Sequence, residues 1–335
     1  MKSIVKYFLV ATWSIVLISG ISTAQSVSDQ ISRMGSQAVE GYLNTAFLGW
    51  AADLNSGVYH TADIHNILGF DVQLKVAANL VKNESKSYTF IPDPTYTIYG
   101  YTLTRGVNYD NTLTAPTLFG EDKDVPLTIR NTNNPLVDGK AILTLPRGIK
   151  LPFAGVPLPW LQASIGLPFG LEVAGRFLPT RQLGDAGKIN LIGFGIRYDV
   201  SQWIPLSPVD LSVHFMTTKF NLKDSVDNNL IIGKGTSYGL EVSKSLLIFT
   251  LYAGYQLESG SVTLNDYTGT VFVTDPITGN QVPTQLRLTG FSKDDENKGR
   301  LTVGLRVLLF ILNVQAEYSF TKTPTATLGV GFSFR

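Results

Sequence analysis

Few side chains in these 335 residues could do chemistry near neutral pH. There are three histidines, His60, His65 and His214, and no cysteine. Without cysteine, disulfides, thiolate zinc sites and cysteine nucleophiles are all excluded. His60 and His65 stand five apart in a turn-rich stretch with no third ligand nearby, a poor spacing for zinc. His214 could act as a hydrolase base only with a serine and an orienting acid, and spacing assigns it neither. Gly233-Lys234-Gly235-Thr236 imitates the end of a phosphate loop, but Asn228 stands where the first glycine belongs and Gly235 follows the lysine. The acidic run Asp294-Asp295-Glu296 offers oxygen ligands to Ca²⁺ or to lipid-bridging cations, and a solvated loop accounts for it equally. The expectation is a protein that is not an enzyme and carries no metal and no cofactor.

The other charges are sparse and balanced. Lys plus Arg is 27, Asp plus Glu is 26, and together they make 16% of the chain, against about 25% in soluble domains. Such a balance excludes the basic field of a nucleic-acid binder. The informative charges share one face of regularly patterned segments. Lys75, Arg176, Arg197, Arg287, Arg300 and Arg306 are the basic members; Asp71, Glu172, Asp199, Asp210, Glu241, Glu258 and Glu317 are the acidic ones. A selective ion filter concentrates one sign. Near balance instead predicts paired charges that brace a wall or hold a plug, with Arg300 or Arg306 against Glu317 as the expected pair.

What positions these charges is a period of two. Ala326, Leu328, Val330, Phe332 and Phe334 alternate with Thr325, Thr327, Gly329, Gly331 and Ser333. The stretches 70–80, 171–177, 192–198, 209–215, 251–257, 301–307 and 312–320 repeat the pattern, which marks strands with one apolar and one polar face. The segments run about nine to eleven residues, enough to cross a bilayer at a tilt, whereas soluble strands cluster near five or six. Their polar face is rich in Gly, Ser, Thr, Asn and Gln, which suits a crowded lumen, and aromatic residues such as Phe169, Phe177, Trp203, Phe220, Phe310 and Phe320 stand near segment ends. The fold class expected is all-β, a transmembrane antiparallel β-barrel. A secreted β-sandwich is the soluble alternative.

The remaining segments frame that barrel. Residues 1–24 have a signal-peptide pattern, with Lys2 and Lys6, an apolar run and Ser22-Thr23-Ala24 before the cleavage point, so the mature chain is exported. Residues 25–68 are expected to be a helical segment. Ile31, Met34, Val39, Leu43, Phe47, Trp50 and Leu54 recur at helical spacing, an amphipathic helix weakened by Gly35, Gly41 and Gly49. Two placements fit it: the periplasmic rim, or a plug inside the lumen. The barrel then occupies 69–335, with 82–150 a turn-rich insert or long loops at one mouth. About 200 residues remain for strands, which at roughly 15 to 17 residues per strand and connection gives 12 strands, or 14 if the insert adds a hairpin.

The N-terminal leader, Leu54-Asn55-Ser56-Gly57, Leu167-Pro168-Phe169-Gly170, Gln202-Trp203-Ile204-Pro205 and the closing Gly329-Val330-Gly331-Phe332-Ser333-Phe334-Arg335 together resemble an uncharacterised family of Gram-negative outer-membrane β-barrels that carries a domain-of-unknown-function label. More distantly, a helical piece ahead of the barrel is similar to the long-chain fatty-acid transporters, whose N-terminal segment plugs the lumen; their Asn-Pro-Ala hatch motif has no counterpart here. The resemblance implies the cell outer membrane and a barrel fold. The function expected is passive, porin-like transport of small molecules, hydrophobic ones included, through a plugged lumen; the alternative is a non-transporting structural or partner-binding surface barrel. The partners expected are outer-membrane lipid, the barrel-assembly machinery through the C-terminal strand and a small hydrophobic ligand, with the chain a monomer that binds no nucleic acid.

Overall fold

In the computed structural model, which describes residues 36–98, 100–149, 155–182, 188–224, 227–274 and 281–334, the alternating segments become ten antiparallel strands. They are β1 (Phe70–Leu80), β2 (Gly155–Leu167), β3 (Leu171–Gln182), β4 (Lys188–Asp199), β5 (Asp210–Lys223), β6 (Asn229–Leu246), β7 (Phe249–Leu264), β8 (Gly299–Leu309), β9 (Leu312–Phe320) and β10 (Thr325–Phe334). Each pairs with its neighbours in chain order, and β10 returns to β1 with Phe334 against Phe70 and Thr325 against Asn79. The sheet is therefore a closed up-and-down barrel without free edges, in which every ladder group finds a partner.

Ten strands correct the expected 12 to 14, for a physical reason. The strands β5, β6 and β7 run 14, 18 and 16 residues, well beyond the length a bilayer requires. Two connections at one end, 81–154 and 265–298, also take up chain. The two ends differ accordingly. At one end the connections are the short stretches 168–170, 200–209, 247–248 and 310–311; the other end is a mouth carrying both long connections. At the mouth, Ser87–Phe90 pairs with Leu113–Pro116, Thr95–Ile98 with Tyr101–Thr104 and Val125–Thr128 with Ala141–Leu145, around a small core of Leu103, Tyr109, Leu127, Ile129 and Val137. Phe291–Asp294 extends the line of β8 against β7, and Tyr267–Thr274 pairs with Gln281–Leu288 in a separate two-stranded sheet.

The burial pattern inverts that of a water-soluble globule. Phe177, Ile192, Phe194, Leu251, Tyr255, Val303 and Leu328 face outward and are exposed, whereas Lys75, Glu172, Arg176, Arg197 and Glu241 face inward and are buried. This arrangement excludes the sandwich, whose apolar face would be its core.

A single α-helix is described, α1 (Ser36–Asp53), and it enters the barrel from the mouth. Thr289 N–H donates to Ser36 Oγ at its start, Leu118 N–H donates to the Tyr42 carbonyl, and Tyr42 donates to the Arg147 carbonyl. Phe47 stacks on Phe291 and Trp50 meets the edge of Phe220. The one-faced amphipathic helix expected from spacing is corrected: Val39, Leu43, Phe47, Tyr42, Ala46, Gly49 and Ala51 are buried on several sides, because mouth strands cover one side and barrel wall the other. Leu54 lies just past the helix end, and the expected members Ile31 and Met34, like the 1–24 leader, fall outside the described residues.

Candidate functional site

Beyond Asp53 the chain has no periodic pattern, and residues 54–69 run irregularly from α1 to the start of β1. Irregular backbone carries donors and acceptors that must be satisfied wherever it is buried. Here inward side chains satisfy them. Arg176 donates to the carbonyls of Leu54 and Ser56 at 2.9 and 2.6 Å, and Arg300 donates to the Ala52 carbonyl and Ser56 Oγ at 2.7 and 2.8 Å. Gln256 donates to the Asn55 carbonyl, Lys75 to that of Gly57 and Gln162 to that of Val58. Glu317 accepts the Gly57 N–H at 2.8 Å, Ser243 the Ala62 N–H at 3.0 Å and Glu172 the His65 N–H at 3.1 Å. Arg197 donates to the Thr61 carbonyl, and Ser333 Oγ lies 3.3 Å from His65 Nε2. Every strand but β5 thus bonds to the segment, and β5 meets it through His214, whose ring is 5.6 Å from that of Tyr59.

Close approach of segment and wall needs room. Gly57 adopts φ +65°, and a Cβ there would fall 2.8 Å from the Trp160 ring. Opposite it, a Cβ on Gly254 would collide with the Tyr59 hydroxyl. Any larger residue at either position pushes segment and wall apart.

A continuous ionic chain crosses the lumen beside the segment. His214 Nδ1 lies 2.7 Å from Glu241, Glu241 2.7 Å from Arg197, Arg197 2.8 Å from Glu172, and Glu172 2.7 Å from His65 Nδ1. His60 and His65 stand 3.4 and 3.7 Å from Asp71. All three histidines therefore belong to one buried network, and among the described residues no group of histidines and carboxylates could hold a metal ion.

The other expected site residues fall as follows. Arg300 pairs with Glu258 at 2.8 Å and not with Glu317, and Arg306 stands opposite Gln315. Glu317 instead accepts from Gly57 and from Tyr252 OH, so the expected pairing of Arg300 or Arg306 with Glu317 is corrected. The reason is register: the two-residue turn 310–311 sets Glu317 against Gly304. Asp199 sits at the short-turn end, where its carboxylate accepts the Ser201 N–H, and Asp210 accepts from Ser243 at the same end; neither joins the ionic chain. Arg287 is exposed on the separate two-stranded hairpin, opposite Thr268, and does not line the lumen wall. Sequence reasoning missed Tyr59, Gln162, Ser243, Tyr252 and Gln256. Each lies on the polar face or in the irregular segment, but carries no charge to draw attention.

The mouth end of the site is acidic and buried. Asp53 and Asp295 are almost inaccessible, near the Arg300–Glu258 pair. Burial, with the Glu258 carboxylate adding to it and Arg300 opposing it, pushes the Asp295 carboxyl up to about 7. A carboxyl raised in the fold but ordinary when unfolded stabilises less as pH climbs. Asp295 is therefore expected to contribute a loss of stability from about pH 4 to about pH 7 that levels off above. Asp295→Asn should flatten part of that slope, read from urea midpoints of the detergent-solubilised protein; an unchanged slope would assign the pH dependence elsewhere.

Comparison with known proteins adds the following. A family model described as "Family of unknown function (DUF6588)" matches residues 1–334. No curated protein matches. Solved structures similar to the chain include Ail, the attachment invasion locus protein of Yersinia pestis (12% identity, 80% of this chain and 99% of that one, TM-score 0.25), and the translocator domain of autotransporter NalP from Neisseria meningitidis (12%, 86% and 93%, TM-score 0.26). The outer membrane protease OmpT from Escherichia coli is similar at 9% identity, over 83% of this chain and 99% of that one, with a TM-score of 0.28.

Proposed function

The chain belongs to the DUF6588 family, and from its own residues we propose that it is a bacterial outer-membrane barrel whose lumen is closed by residues 36–66, with small polar solutes passing when that segment shifts. The membrane assignment rests on the outer surface. A belt of exposed Phe, Leu, Ile and Val on all sides is far larger than the apolar patches soluble monomers tolerate, and hydrocarbon is the solvent that suits it. No described helix is long and apolar enough to cross a membrane, so crossing falls to the strands. By the usual asymmetry of such barrels the short turns face the periplasm and the mouth faces outward.

The observation that carries the closure is the set of bonds to residues 52–65 from nine strands, eight of them reaching the backbone. Strands about 4.8 Å apart and tilted about 40° put a ten-strand wall about 10 Å from its axis. Eight-strand barrels are filled by their own side chains; ten leave space for one more backbone, and residues 54–66 occupy it. The inner wall is polar around residues 54–66, which favours hydrophilic cargo there over the hydrophobic molecules expected from sequence, whereas toward the mouth Leu158, Leu178, Phe220, Ile231 and Val262 pack with α1.

A chain without cysteine allows a clean test. Thr61 Oγ1 and Ser243 Oγ are 3.2 Å apart, so Thr61→Cys with Ser243→Cys should form a disulfide that ties segment to wall. In planar bilayers the reduced double variant is expected to show voltage-induced openings and the oxidised form none. Equal current in both forms would remove the segment as the gate. Silence in both would favour the non-transporting surface barrel, with its mouth strands as the working part.

A further inference from the structure

On the outer face of the barrel, Lys219 of β5 and Lys234 of β6 are direct cross-strand partners. Both are exposed, and neither has an ion-pair partner among the described residues. Like charges directly opposed destabilise a sheet unless something neutralises them. Their neighbours along each strand fix their height. Toward the short-turn end the outward residues are Val213 and Phe215 on β5, Tyr238 and Leu240 on β6, and Tyr255 and Leu257 on β7, all apolar or aromatic and exposed. Toward the mouth come Thr217, Thr236 and Ser259, then the two lysines and Ser261, which pairs with Lys234. The lysines thus stand just past the apolar belt, on its mouth side. A hollow of about 450 Å³ opens there, lined by Lys234, Thr236, Ser259, Ser261 and Lys298, with the carboxylates of Asp294 and the buried Asp295 also on its lining.

We propose that Lys219, Lys234 and the hydroxyls of Thr236, Ser259 and Ser261 form a binding site for the phosphate of a phosphorylated glycolipid in the outer leaflet. Two ammonium groups and adjacent hydroxyls supply the charge-assisted donors that phosphate oxygens accept, and phosphate supplies the negative charge that the lysine pair lacks. The height places them at headgroup level, where acyl chains lie against the belt of Phe215, Tyr238 and Leu257. This site rests on the membrane reading, because only a barrel embedded to the edge of that belt holds the lysines at a headgroup.

The test uses the full mature protein in detergent, titrated with bis-phosphorylated lipid A and followed by native mass spectrometry. At about a fivefold gain per lysine, Lys219→Ser with Lys234→Ser should weaken binding about thirtyfold, while heat-modifiable migration shows the variant folded. Dephosphorylated lipid A should bind the wild type about as weakly as the intact lipid binds the variant. Equal affinity of wild type and variant, or no lipid A binding at all, would overturn the site. Equally tight phosphatidylglycerol, or displacement by millimolar inorganic phosphate, would overturn the glycolipid as its occupant. Flotation with liposomes separates the premises: a wild type that inserts but ignores lipid A refutes this site alone, whereas one that fails to insert refutes the membrane reading.

Discussion

Arg197→Met is expected to destabilise the barrel by about 3–5 kcal/mol, the cost of leaving buried charges without their partner. Arg197 is 4% exposed and lies between Glu172 and Glu241, which are 2% and 0% exposed. Its Nη1 donates to Glu172 at 2.8 Å, its Nε and Nη2 to Glu241 at 3.2 and 2.7 Å, and it also holds the Thr61 carbonyl. Methionine fills similar volume but leaves two carboxylates facing each other in a space with little water, and leaves the Thr61 carbonyl without its Arg197 donor. Arg197→Lys keeps the charge but has no fork to span both acids, so an intermediate loss is expected. The decisive comparison is the triple variant Glu172→Gln, Arg197→Met, Glu241→Gln. Removing a whole buried ionic group is often close to neutral where removing one member is not. Urea midpoints in detergent should then order as wild type, near the triple variant, above Arg197→Lys, above Arg197→Met. A single variant within about 0.5 kcal/mol of wild type would show that water already reaches this part of the lumen and that the network is not structural.

How far the sequence discloses such a network depends on which geometry each contact uses. The face was legible: period-two alternation alone puts Lys75, Glu172, Arg176, Arg197, Glu241, Arg300, Arg306 and Glu317 on one side of their strands, and that side lines the lumen. The partners were harder. Opposition of Arg306 to Gln315 and of Gly304 to Glu317 follows from a two-residue turn at 310–311, so this register could have been read from the short gap between two alternating runs. Arg300 with Glu258 could not, because the 34 residues of 265–298 separate their strands and no local rule spans that length. The strand count failed for a related reason: β6 and β7 continue past the belt toward the mouth, with Lys234 and Ser261 still alternating beyond the apolar residues, so residues assigned to extra strands belong to longer ones. The 54–66 segment was illegible as a lumen strand because it has no period at all. Asn55-Ser56-Gly57 reads locally as turn chemistry, and its role exists only through side chains that arrive from nine other segments.

Deleting residues 25–66 is expected to convert a closed barrel into a steady, weakly selective conductor. The strand ladder from β1 around to β10 does not involve the deleted residues, so closure of the wall survives. Arg176, Arg300 and Lys75 lose the carbonyls of Leu54, Ser56, Ala52 and Gly57, but an emptied lumen fills with water that solvates them, so desolvated charges are not left behind. The current should show little preference between cations and anions, because the buried wall carries Lys75, Arg176, Arg197, Arg300 and Arg306 against Asp71, Glu172, Glu241, Glu258 and Glu317, and selectivity needs one sign in excess. Single-channel recording and reversal potentials under a salt gradient read both expectations, with heat-modifiable migration confirming the fold. Reversal near zero with ohmic current supports the gate. A folded deletion variant that stays silent would show that inward side chains such as Arg176, Trp160 and Tyr252 close the lumen by themselves, as they do in smaller barrels, and the segment would then be a brace for the wall with no part in passage.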